Sequence, residues 1–172
     1  DALLALQAFL EGEATILMTD VLLERLAEEA REAIGGDPVG QLLDGLGNPE
    51  SVEGAEGVPE FFVKELVFPY ASGTEWVRRK KREGGWPAVD AVYDRLPATT
   101  REILHPGAES GERRLLAPSD LPVKANAPAG SGAAWTDTLG EWVLGTLLER
   151  AGAGEEAADV AATWRDDRVL FF

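Results

Sequence analysis

Cysteine is absent from the 172 residues, which excludes disulfides, thiolate metal ligands and a cysteine nucleophile while fitting either a reducing or an oxidising compartment. Histidine occurs once, as His105. It is followed directly by proline in "ILHP", and Ser72, Ser110, Ser119 and Ser131 lie in no nucleophile-elbow context, so no serine triad is read. Positive charge is scarce: 16 Lys and Arg stand against 31 Asp and Glu, a net charge of −15. Such a chain repels phosphate backbones and anionic lipid at long range, which argues against a nucleic-acid partner. No uninterrupted apolar run approaches the roughly 20 residues that span a bilayer, and no signal peptide is visible, so no transmembrane segment is expected. Internal repeats, sustained heptads, a P-loop and a dinucleotide fingerprint are all missing. Gly84 and Gly85 stand alone before Trp86, far short of a phosphate cradle.

What is present is the composition of an ordinary soluble globular chain, 45% hydrophobic and 27% charged, of a length that suits one domain over residues 1–172. Leu3, Leu6, Leu10, Leu17, Val21 and Leu26 keep returning to one helical face, while Glu24, Glu28, Glu29 and Arg31 supply a wet one. A long helix from about Ala2 to Ile34 is expected, burying that apolar face and stopping at Gly35-Gly36, with Asp37-Pro38 opening the next element. Within it, "AFLEGEATIL" places Glu11, Gly12 and Glu13 where leucine would serve a buried face better. Residues 45–60 read as an exposed loop. Residues 61–86 read as two helices split at Pro69, the second ending in the basic run "RRKKRE" and Gly84-Gly85. "PAVDAVYDRLP" reads as a short amphipathic helix, and Thr99 with Glu102 has capping-box spacing. An irregular excursion is expected from Pro106 to Gly132. Thr138 and Glu141 repeat the capping-box spacing before "WVLGTLLERAG", "EEAADVAATW" makes a last helix, and "RVLFF" reads as a strand. The class is therefore mainly α, with irregular loops and a short terminal strand. The opening on Asp1 and the apolar end at Phe171-Phe172 suggest a fragment of a larger unit.

Several phrases, in order and nearly end to end, resemble a group of bacterial zinc-metallopeptidase-like proteins of the gluzincin kind. They are "AFLEGEAT", "FPYASGTEWV", "GGWPAVDAVYDRLPATT", "REILHP", "DTLGEWVLGTLL" and "AATWRDDR". In the last, an aspartate stands where the group has glycine, which puts in doubt a turn there needing positive φ. The resemblance implies the carboxyl-terminal part of a zincin-like domain, in which two imidazoles of an HExxH helix and one carboxylate of a following helix hold zinc. By the same resemblance Glu11 is the third metal ligand, Gly12 lets the facing helix approach, and Glu13 orients a histidine from behind. His105 is the candidate catalytic residue, near the oxyanion of the tetrahedral intermediate. Its alternative is a bond to a backbone carbonyl that fixes the turn at Pro106.

This sequence has no HExxH, so a gluzincin centre cannot be assembled from its residues alone. Either a zinc-binding amino-terminal segment is missing from this chain, or the scaffold persists without the metal. The expected function is that of a zinc-metallopeptidase-like protein acting on peptide or protein, inactive as this chain alone, with zinc only in the intact parent. The alternative is a non-catalytic peptide- or protein-binding scaffold. Tyr70 and Tyr93 read as core residues, and the run at 78–83 reads as balancing the chain's own acidic surface. Substrate, compartment, oligomeric state and partner stay open.

Overall fold

The computed structural model describes residues 1–26, 36–46, 54–107 and 135–171. It is mainly helical. The chain divides into two compact units, one of residues 3–97 and the other of residues 1–2 with 98–172.

The first unit is built on two long helices. Helix α1 spans Ala2–Arg25 and buries Leu4, Ala5, Ala8, Phe9, Gly12, Thr15 and Ile16. That buried face is not the leucine stripe read from the sequence. Leu3, Leu10, Leu17 and Val21 are exposed, together with Met18 and Leu22. The reason lies in α3, Glu60–Asp90, which meets α1 where both are narrow. A Cβ on Gly12 would stand 2.3 Å from the Gly73 carbonyl carbon, and one on Gly73 would stand 1.9 Å from the Ala8 oxygen. Leucines cannot come that close; Ala5, Ala8 and Gly12 can. The continuation of α1 towards Ile34 lies outside the described residues.

Helix α2, Pro38–Leu46, starts as expected at Asp37-Pro38. The Asp37 carboxylate accepts the Gly40 N–H at 2.9 Å, capping the first turn, and accepts Arg78 of α3 at 2.9 Å. The capping amide of Gly40 holds the Asp37 carboxyl below its ordinary value of 3.8; desolvation, next in size, opposes it, and the Arg78 guanidinium adds to the lowering. The expected break at Pro69 does not occur: α3 runs through Pro69, which is buried, without leaving helical backbone. The interruption comes at Gly84 and Gly85, the latter with φ 69° and ψ −165°, a region open to glycine alone. Pro87 then falls in the first turn of the short segment beyond, where its missing N–H is harmless. A turn of 3-10 helix over Ala91–Asp94 follows. The basic run pairs internally, as Arg78 with Asp37 and Glu75, Arg82 with Glu75, Lys80 with Glu83 and Lys81 with Asp20.

In the second unit, α4 spans Thr100–Leu104 and is capped by Thr99, whose hydroxyl accepts the Glu102 N–H. The Glu102 carboxylate reaches back to the Ala98 N–H, one residue earlier than in a standard capping box. Strand β1, Trp135–Asp137, pairs antiparallel with β2, Val169–Phe171, within "RVLFF". Between them lie α5, Gly140–Leu148, and α6, Glu156–Ala161. The capping box expected at Thr138 and Glu141 is not formed. Leu139 precedes α5, and the Asp167 carboxylate accepts the Leu139 and Gly140 N–H groups at 2.7 and 3.0 Å. Asp166 has no positive φ, so the aspartate in "TWRDDR" fits its place without strain. Most of the 106–132 excursion lies outside the described residues.

Candidate functional site

Two sets of side chains carry chemistry, one in each unit. In the first unit, the helical turn that contains Gly12 carries Glu11 and Glu13 on either side of the crossing with α3. Both are half-buried. Tyr70, one turn before Gly73, lies beside Glu11, whose negative charge first, and desolvation after it, raise the Tyr70 pKa above its ordinary 10.0. Tyr93 donates to Glu13, and that bond to the carboxylate raises Tyr93 likewise. The Phe9 ring packs edge-on against Tyr93 and Trp76, at centroid distances of 5.0 and 5.9 Å, fixing the phenol beside Glu13. Seven residues beyond Glu13, Asp20 accepts from Lys81 and from the Trp86 indole N–H, the latter at 3.1 Å. Gly12 to Gly73 and Asp20 to Lys81 are both separated by 61 residues, so α1 and α3 run in the same direction.

In the second unit, His105 follows the last turn of α4 and its Nε2 lies 2.5 Å from Glu141 Oε1. The other carboxylate oxygen accepts from Arg101 Nη1 at 2.6 Å, and that nitrogen also donates to the Ala162 carbonyl at 2.6 Å. The Glu141 side chain is 4% exposed and the His105 side chain 42% exposed. The buried carboxylate thus has a ligand at each oxygen and orients the ring. Glu141, read from the sequence as a cap, is the residue that sequence reasoning missed here. Its signal was available only as a carboxylate on the first turn of an apolar helix.

No protein-family model matches the chain, and no curated protein or solved structure matches it. The site therefore rests on its own geometry.

A zinc centre of the kind that the resemblance implies needs two imidazoles and a carboxylate. The sequence holds one imidazole, and it is engaged by Glu141; Glu11 is engaged by Tyr70. Among the described residues no group of three His, Cys, Asp or Glu side chains gathers to hold a metal. Glu11 and His105 belong to different units. The donors present do not make up that centre. Glu13 meets Tyr93 and not a histidine, and His105 meets a carboxylate and not a backbone carbonyl.

The other feature of α1 is its open side. Leu3, Leu10, Leu17 and Val21 form a row, with Leu3 68% exposed, and Met18 and Leu22 flank it. By length and composition α1 is also apolar enough to cross a membrane. On α3, Phe62 and Leu66 are 56% and 60% exposed and lie on the row that leads to Tyr70 at Glu11.

Proposed function

We propose that this chain is a binding module without chemistry of its own, and that the open face of α1 is its working surface. The observation that supports this reading is the exposed row from Leu3 to Val21, on a helix whose opposite face is committed to α3. Isolated exposed leucines are ordinary on a protein surface; an aligned row of this length is not. Titrating isotope-labelled protein with amphipathic helical peptides of varied charge tests it. Amide shifts should concentrate at Leu10, Leu17 and Val21, and should vanish in the Leu10→Asp/Leu17→Asp variant. If no peptide of any charge perturbs that row, the reading fails.

The peptidase reading stays attached to an assembly in which a further segment supplies the two imidazoles. The close approach of α1 and α3 at Gly12 supports it, since it holds Glu11 on a fixed turn beside Tyr70. For this chain alone, we expect no stoichiometric zinc by metal analysis and no chelator-sensitive peptide cleavage. One tightly bound zinc per chain, with metal-dependent hydrolysis, would reverse that order of preference.

A further inference from the structure

We infer that the occupant of the open α1 face is a cationic amphipathic helix, an inference that rests on the binding-module reading above. Two observations carry it, one of shape and one of charge.

The shape is that of a helix seam. Leu3, Gln7, Leu10, Ala14, Leu17 and Val21 follow one another at intervals of four and three residues, and all six are exposed. That spacing keeps a line along one side of a helix over about 27 Å at 1.5 Å per residue. A strip one side chain wide and this long fits the i, i+3, i+4, i+7 anchors of a second helix lying along it. Ala14 leaves a gap for a large side chain of the partner, and Gln7 gives the seam one polar register mark.

Charge then selects among helices. α1 contains Glu11, Glu13, Asp20 and Glu24 against Arg25 alone, in a chain of net charge −15. The acids beside the seam are not equivalent. Asp20 is matched by the ammonium of Lys81. Glu13 accepts from the Tyr93 hydroxyl and Glu11 lies beside the Tyr70 phenol, neutral neighbours that leave each negative charge in place. A Lys- or Arg-flanked apolar helix complements such a border. A second copy of this chain would bring the same acids to meet these, and an anionic bilayer would be repelled.

The experiment uses the whole chain and two synthetic helical peptides with the same leucine face, one flanked by lysine and one by glutamate, read by fluorescence anisotropy. The lysine peptide should bind and the glutamate peptide should not. Raising salt should weaken the complex. The Glu11→Gln/Glu13→Gln variant, which keeps both tyrosine partners, should lose about threefold to tenfold in affinity. Leu17→Asp should abolish binding. Equal binding of the two peptides would overturn the charge inference and leave the module reading standing. Binding of neither would overturn both, as would an α1-mediated dimer by sedimentation or selective uptake by neutral vesicles.

Discussion

Glu11 and Glu13 answer to tyrosines rather than to cations, and that choice has a spectroscopic consequence. The chain has two tyrosines, Tyr70 and Tyr93, so its phenolate absorbance in alkali reports only these pairs. Ionising either phenol places a second negative charge beside a carboxylate, and at Tyr93 it also removes the hydrogen bond donated to Glu13. Both pKa values are raised above 10.0. A raised value in the folded state means that the contribution of each pair is complete below the ordinary tyrosine value and is lost as pH climbs through the raised one. Spectrophotometric titration should therefore show both phenols ionising later than free tyrosine. Glu13→Gln should bring one of the two back towards the ordinary value while leaving the other. Two unperturbed phenols in the native protein would sink the pairing. Nothing in the sequence announced these contacts, because they join positions 59 and 80 residues apart. The carboxylates themselves were legible as an intrusion into an apolar run.

At the scale of elements, the informative error concerns which face of α1 is buried. Hydrophobic periodicity weighs leucine above alanine and glycine, so it selected the stripe through Leu3, Leu10, Leu17 and Val21 as the core. The crossing selects by size instead. Ala8 and Gly12 let the backbones approach, and the larger residues are left on the outside. Proline produced the second error. Its helix-breaking tendency is strongest in isolation, yet α3 continues through Pro69 and breaks at Gly84-Gly85, where a positive φ is required. Gly73→Ala tests the crossing. Its new methyl would meet the rigid Ala8 carbonyl at 1.9 Å, a backbone clash that puts the overpacking cost at the upper end of the usual range, about 3 kcal/mol. Better helix propensity returns only about 1 kcal/mol. We expect a net loss of roughly 2 kcal/mol by denaturant unfolding, hence a fall in Tm of about 4–8 °C. Gly45→Ala in α2, with nothing within 4 Å of the new methyl, should be neutral or slightly stabilising. If the two substitutions behave alike, the helices are not in close contact at Gly12 and Gly73.

Across the whole molecule, local signals were legible and long-range assignments were not. The Thr99 cap, the start at Asp37-Pro38 and the glycine break could be read because each depends on neighbours a few residues away. Glu141 could not, because its spacing from Thr138 satisfied a local rule while its partners, Arg101 and His105, lie 40 and 36 residues back. The division into two units makes a further expectation about how damage spreads. Glu141→Ala removes the buried carboxylate from Arg101 and His105, whose side chains stay 26% and 42% exposed and so remain hydrated, and should cost about 1–3 kcal/mol for the lost charge-assisted hydrogen bonds. Its effect belongs to the unit of residues 1–2 and 98–172, while Gly73→Ala acts within residues 3–97. Sites with no shared partner add to within about 0.5 kcal/mol. Hydrogen exchange followed by mass spectrometry should show Gly73→Ala loosening amides of α1 and α3. Glu141→Ala should loosen those of α4, α5 and α6, and the double variant should show the sum. Loosening of α1 by Glu141→Ala as strong as its effect on α5 would mean that the two units open as one cooperative body.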